Sequence, residues 1–487
     1  MREQLNHGKA NSCQRQIIFL CIPPYNIIVK KKFLLFLLLV VVVLCVSCAG
    51  VGEFGETKLP EYTISATLDT KTMVLSGEVT LNYTYCGENT LSHLTFALYP
   101  NAKSENRAVE ILSVSADGKQ IGFTEKGDGD FLEIPLPREL FPSENIEVCI
   151  NYELKIPKSS GIFGYSDTET KLSGWYPLLC ARVGDEWVEQ TLDGFGDCYF
   201  SDVANYEVRL TVGRDETVVS SGKRVGVINS ESNTTYTFVA ERVRDFAFCV
   251  SSKYLCVSGV SGVTLISAYA YDSETAQEIL RYAKQAFGFF REEYGELDIP
   301  TFSVALCDLS AGGMEFSGLV YICKELKGRE LEEVVAHETA HQWWYGGVGS
   351  NPTEYAWLDE GLTEYAVLEY IGRFYGVLER EKKVKDAYTL YDAYVDVAKN
   401  LGQIDFGLTK NTAEFTTLYH YVVITYTKGA LFFENLREIT GDKNFKKAIK
   451  TYFCTFKHKI ATPDDLKECL QNTVPKINFT PIFDYWT

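Results

Sequence analysis

The hydrophobic period of this 487-residue chain changes once, near residue 260, and no other feature limits its fold as strongly. From Glu61 to about Val257 apolar residues alternate with polar ones, as in "YTISATLD", where Tyr62, Ile64, Ala66 and Leu68 fall on one side. Period two marks strands with one buried face. "GEVTLNYTY", "NIEVCINYELKI", "YEVRLTV" and "TTYTFVAE" repeat it, and Asp117-Gly118 and Asp128-Gly129 supply turns between runs. Residues 61–260 are therefore expected to form an antiparallel β-sandwich-like domain. From about Ser267 the period lengthens: "SETAQEILRYAKQAFGFFREEYG" puts Ala276, Ile279, Leu280, Ala283, Phe287 and Phe290 on one helical face. A strand in "TFSVALCDL" and a glycine-started edge in "AGGMEFSGLVYI" follow, then helices near 329–345, 357–376, 382–399, 417–439, 442–456 and 463–472. Thr462 is the N-cap of the last and Pro463 its first residue. Residues 261–487 thus read as an α-rich domain with a small sheet.

Charge narrows the choice of partner. With 47 basic and 65 acidic residues the formal charge is -18, which opposes binding to phosphate backbones or anionic surfaces, so no nucleic-acid partner is expected. Membrane association is expected by another route. "KKKFLLFLLLVVVVLCVSCAG" joins Lys30 to Lys32 to an apolar run from Phe33 to Val46 and small residues around Cys48. Residues 29–48 have the form of an export signal, shorter than the roughly 20 residues of a spanning helix. Cys48 after a small residue resembles a bacterial lipoprotein processing site, so either lipid on Cys48 or a simple helical anchor would hold an exported protein at the cell surface. Residues 1–28 read as a non-native extension ahead of a start at Val29, and residues 49–60 as a linker. The ten cysteines after Cys48 form neither CxxC nor a zinc-finger spacing, and their apolar surroundings predict buried free thiols, with disulfides left open for an exported protein.

Chemistry concentrates in "EEVVAHETAHQWWYGG". His337 and His341 are four residues apart, which on a helix leaves their imidazoles about 40° apart around the axis and one turn apart along it, within reach of one ion. Glu338 projects about 100° from His337, beside such an ion, where a base would act. A catalytic zinc needs a third protein ligand and an open position. "WLDEGLTEY" offers Glu360, with 18 residues between it and His341, on a helix that "GGVGSNP" allows to double back. Glu364 is expected beside the site rather than on the ion, and Asp359 behind a ligand. Trp343 and Trp344 are expected to pack the helix into the core.

Together "HETAHQWW", the spacing to Glu360, "WLDEGLTEY", the upstream "GGMEFSG" and the downstream "TYTKGA" resemble the aminopeptidase N and leukotriene hydrolase family of zinc gluzincins. "LTFALYPNA" and "VRDFAF" extend the likeness into the β-half. The resemblance implies an amino-terminal β-domain on a thermolysin-like catalytic domain, with one Zn(2+) held by His337, His341 and Glu360. It implies Glu338 as general base, passing a proton to the leaving amine, and Tyr426 as donor to the developing oxyanion. It further implies that Gly312, Gly313, Met314 and Glu315 bind substrate, with Glu315 pairing with the free α-amine of a peptide.

Departures from the family pattern set the alternatives. Phe316 stands where the family has Asn, and "EWVEQTLDGFGDCYFSD" offers no assured match to the second acidic amine-binding residue. The helical domain that closes the pocket in larger members has no counterpart after "PIFDYWT", which predicts a more open cleft. The expected activity is a zinc aminopeptidase acting on peptides. Two rivals stand beside it: a zinc endopeptidase, and a cell-surface binding protein on a peptidase fold that has lost catalysis.

Overall fold

The computed structural model describes residues 58–102, 107–190, 195–197, 199–402 and 406–487. The export signal, Cys48, the amino-terminal extension and most of the linker lie outside the described residues. Residues 59–487 form one compact unit.

The period-two half builds sheets as its alternation requires. Glu61–Asp69 buries Tyr62, Ile64, Ala66 and Leu68 and exposes the residues between them. It lies at the centre of an eight-stranded sheet, antiparallel to Val74–Thr84 and parallel to Ala204–Gly213. Two four-stranded sheets, one built on Leu91–Ala97 and Phe131–Leu140 and the other on Thr217–Ser220 and Phe248–Ser251, complete this β-rich part. Asp117-Gly118 joins Val109–Ala116 to Lys119–Ile121, as its turn chemistry predicts.

A five-stranded sheet then forms the layer between the β-rich part and the helices. Its order is Leu255–Ser261, Thr264–Ala270, Thr301–Cys307, Leu319–Cys323 and, at the edge, Gly313–Phe316. The pleat divides its side chains: Ala305, Cys307, Leu319 and Tyr321 join the core of the β-sheets, whereas Phe302, Val304, Leu306, Val320 and Ile322 join the helical core. The helix Ser273–Tyr294 buries Ala276, Ile279, Ala283, Phe287 and Phe290 against that second core. Trp343 and Trp344 pack there too, against Phe287, Phe290, Tyr294 and Phe453. The architecture is therefore β-rich first and α-rich with a small sheet second.

Several helices differ from the sequence reading; the one expected at 382–399 starts earlier and runs Val377–Asn400. The one carrying the histidines runs Gly328–Ala340, shorter at its end, because backbone bonds from Gly346, Gly347 and Val348 to the carbonyls of His341, Gln342 and Trp343 turn the chain away. The expected 417–439 helix is interrupted by a π-turn at Val423–Lys428, between Leu418–Val422 and Gly429–Thr440. A further short helix, Thr480–Trp486, was hidden by its length. Thr462 caps Pro463–Thr473 with a reciprocal bond from Asp465, as expected. The nine described cysteines are free; Cys180, Cys249, Cys307 and Cys469 are buried, but Cys86, Cys256 and Cys454 are exposed on strand ends, edges or outer helix faces.

Candidate active site

The helix Gly328–Ala340 presents His337 and Glu338, and His341 follows in helical conformation at its C-cap, so the four-residue spacing keeps its geometry. Ala356–Tyr375 doubles back and delivers Glu360 from its first turns. The Nε2 atoms of the two histidines are 3.1 Å apart, and Glu360 Oε2 is 3.2 Å from each. Three arms of 2.0–2.1 Å to a tetrahedral zinc would span edges of about 3.3 Å. Nearly equal edges and an N2O donor set fit such an ion, and the buried Glu360 Oε2 faces both imidazole nitrogens. A second grouping, Glu315, Glu338 and His341, shares His341 with the first, so the donors define one ion site.

Each imidazole is oriented from behind. His341 Nδ1 lies 2.9 Å from Asp359 Oδ1 and 3.0 Å from the Trp344 carbonyl, and His337 Nδ1 lies 3.0 Å from Glu364 Oε1. Carboxylates in these positions fix the ring and raise its basicity as a ligand. Asp359 and Glu364 thus stand where the sequence reading put them, behind the donors rather than among them.

Burial and charge set the proton balance. Burial opposes protonation of His337, but its bonds to Glu360 and Glu364 push it up to about 10. His341 is raised too, against burial, by Glu315, Asp359 and Glu360. Burial raises Glu338 to about 7, partly offset by the two histidines, and its Oε2 has no hydrogen-bond partner. A base of that strength is poised for work near neutral pH. Burial, then the charge of Glu360, holds Tyr426 well above the ordinary phenol value, so it remains a donor.

Tyr426 sits inside the π-turn Val423–Lys428, a distortion often found at functional positions. Its hydroxyl donates to Glu360 Oε1 at 2.5 Å, and its ring stacks on His337 at 6.0 Å. Two glycines make this possible. Gly361 and Gly429 face each other where the helices Ala356–Tyr375 and Gly429–Thr440 cross, and a Cβ on either would strike the other's backbone.

The edge strand Gly313–Phe316 runs beside the histidine helix, antiparallel to Leu319–Cys323 from Gly313↔Ile322 to Phe316↔Leu319. Gly313 is pressed against the Glu338 carboxylate, where a side chain would collide with the base. Gly312 precedes the strand and Met314 is half-buried. Glu315 is buried, 4.0 Å from His341 Nδ1, and burial lifts it well above the ordinary carboxylate value. Phe316 leaves the strand intact: its ring turns into the β-side core against Tyr321 and Tyr199. Two neighbours lacked any signal in motif spacing. Tyr421 stands edge-on to Tyr426 at 5.8 Å, and Asp197, from the unmatched β-side stretch, adds to the rise of Glu315.

With this geometry, comparison with known proteins gives a consistent result. Residues 271–486 match the peptidase family M1 domain. The chain is 24% identical to aminopeptidase N of Lactobacillus delbrueckii subsp. lactis, over 90% of this chain and 51% of that one. It is 28% identical to mouse (Mus musculus) aminopeptidase N over 45% of this chain and 24% of that one. The chain spans about half or less of the length of these relatives. Among solved structures, the M1 zinc metallopeptidase from Deinococcus radiodurans is similar with a TM-score of 0.64, at 19% identity, over 86% of this chain and 91% of that one. A variant of that enzyme bound to a Tyr-Ser-Ala substrate gives 0.65 over the same shares, also at 19% identity. The chain therefore has the two-domain fold of M1-family zinc metallopeptidases, gluzincins with a β-rich domain before an α-rich one.

Proposed function

We propose that the protein is a zinc-dependent aminopeptidase of the aminopeptidase N and leukotriene hydrolase type. The observation that carries this reading is the meeting of His337, His341 and Glu360 at one point, with Glu338 and Tyr426 on either side and Glu315 on the adjacent strand. The names of the similar aminopeptidases support it.

His337, His341 and Glu360 would hold the zinc ion, which supplies Lewis acidity to acidify water and polarise a carbonyl. Glu338 takes the proton of the attacking water and returns it to the leaving amine. The Tyr426 hydroxyl, free to leave Glu360 as negative charge grows on the carbonyl oxygen, donates to that oxyanion. The outer edge of Gly313–Phe316 has no partner strand among the described residues, so a peptide can lie along it by main-chain hydrogen bonds. Glu315, buried among carboxylates, then gains its counter-ion from the peptide's terminal ammonium.

A panel of peptides with free and acetylated amino termini tests the reading. Free peptides should be cleaved one residue at a time and blocked ones at least tenfold more slowly, as loss of a buried ion pair requires. Faster cleavage of the blocked forms would favour the endopeptidase reading, and no cleavage of either by zinc-loaded protein would favour the binding protein.

A further inference from the structure

The hairpin that carries the proposed substrate strand turns at Ser317-Gly318; besides a bond from the Ser303 amide to the Gly318 carbonyl at 2.9 Å, the turn is held from two places. One is the turn that follows the histidine helix: Gln342 accepts from the Gly318 amide at 2.8 Å and donates to the Phe316 carbonyl at 3.0 Å. The other is the β-side pair Arg244-Asp245. The Arg244 amide donates to Ser317 Oγ at 3.1 Å, and the Ser317 amide to Asp245 Oδ2 at 3.4 Å. Gly318 permits the approach, since a Cβ there would strike the Ser221 carbonyl.

The same pair also grips the turn that follows the histidine helix. Arg244 Nε donates to the Tyr345 carbonyl at 2.6 Å, and the Tyr345 hydroxyl donates to Asp245 Oδ2. The remaining arms of the guanidinium donate to the Ser201 carbonyl at 3.1 Å and the Lys459 carbonyl at 2.7 Å. Gly349 leaves the space that this group fills. Tyr345 follows Trp344, whose carbonyl faces His341 Nδ1 at 3.0 Å. Arg244, Asp245, Ser317, Gln342 and Tyr345 are all buried, so none of these bonds competes with bulk water.

We propose that Arg244 and Asp245 form a clasp that sets the substrate strand and the turn after the metal-binding helix in one register, making them positioning residues for both substrate and zinc, with Gln342 positioning the substrate strand. The proposal rests on the reading of Gly313–Phe316 as the substrate strand. A rigid fork is needed to hold three carbonyls on separate arms, so lysine cannot replace Arg244. The β-rich part thereby acts on the chemistry without touching it.

The test uses zinc-loaded full-length protein, with zinc affinity read by competition with a chelator, amide hydrogen exchange at 313–320 and 343–349, and KM and kcat. Gln342→Met, which ties only the strand, should raise KM about tenfold, speed exchange at 313–320 and leave zinc affinity within about twofold. Arg244→Met and Arg244→Lys, which free both elements, should speed exchange in both segments and weaken zinc about tenfold or more, as loss of groups behind a metal ligand does. Parental exchange and zinc affinity in both Arg244 variants would overturn the proposal, as would parental KM in Gln342→Met. Should the Arg244 variants not fold, Ser317→Ala removes the hydroxyl that accepts from the Arg244 amide and Tyr345→Phe the hydroxyl that donates to Asp245. Non-additive effects of the two on exchange at 313–320 support the clasp, and additive ones overturn it. Zinc affinity and exchange need no turnover, so a parent that binds zinc yet cleaves no peptide refutes the peptidase reading while still deciding the clasp.

Discussion

Two buried clusters of charge lie in the α-rich half, and they are built on opposite principles. In one, Glu434 accepts from both Arg380 and Arg437, each of its oxygens taking a bond from each guanidinium, and Arg380 Nε reaches Glu369 at 2.8 Å. Two cations meet two carboxylates and tie Ala356–Tyr375, Val377–Asn400 and Gly429–Thr440 together. In the other, the carboxylates of Glu315, Glu338, Asp359 and Glu360 surround only two imidazoles, and Glu338 keeps a buried oxygen without a hydrogen-bond partner. Buried charge is tolerated when paired and is costly otherwise. The balanced cluster therefore explains itself as structure, whereas the unbalanced one calls for a cation from outside the chain and a cationic substrate terminus. Perturbed, uncompensated groups of this kind collect where chemistry is done.

The sharpest way to break this contrast is to disarm the unbalanced cluster without emptying it. Glu338→Gln should lower kcat on the order of 10³-fold while zinc content stays at the parental level, as removal of a general base predicts; steady-state kinetics beside elemental analysis checks it. Tyr426→Phe should cost about 10² in kcat with little change in KM, since the lost donor serves the transition state. Asp359→Asn, which weakens the support behind His341, should reduce zinc affinity about tenfold, measured by chelator competition. The balanced cluster should respond in a different currency. Glu434→Gln should leave zinc binding and turnover of the folded protein unchanged but lower stability by about 3 kcal/mol in denaturant unfolding, because it strands the buried guanidinium of Arg380 and the half-buried one of Arg437.

pH separates that last variant further. Against burial, the bonds from Arg437 and Arg380 hold Glu434 at about 2, below its ordinary 4.5. A carboxylate lowered by folding stabilises the native state above its unfolded value and loses that contribution as pH falls through the folded one. Parental stability should therefore fall between about pH 4.5 and pH 2 with a component that Glu434→Gln lacks.

The contrast also shows what a sequence discloses. His337, Glu338 and His341 were legible because helical spacing alone aims them together, and Glu360 because a short turn returns its helix to theirs. The alternating strands were legible for the same reason: period reports which face is buried. Local pattern was silent where tertiary contact decides. Gly361 and Gly429 are 68 residues apart in number, and nothing local announces the contact that brings their helices together beside Tyr426 and Glu360. The π-turn around Tyr426 breaks a run whose hydrophobicity reads as plain helix. Phe316 departs from the family's Asn, and only the fold shows that its ring finds room in the β-side core. Arg244 and Asp245 lie in "VRDFAF", but their role was not legible there, because their partners come from four distant segments around Ser201, Ser317, Tyr345 and Lys459.

One titration tests the central claim most directly. Metal-free protein, prepared with chelator, is loaded stepwise with zinc while hydrolysis of an unblocked amino-acid anilide is followed. The account predicts activity that rises linearly and stops at one zinc per chain, with the same stoichiometry of binding but negligible turnover in Glu338→Gln. Hydrolysis that persists in metal-free protein, or zinc binding that survives His341→Ala undiminished, would contradict it.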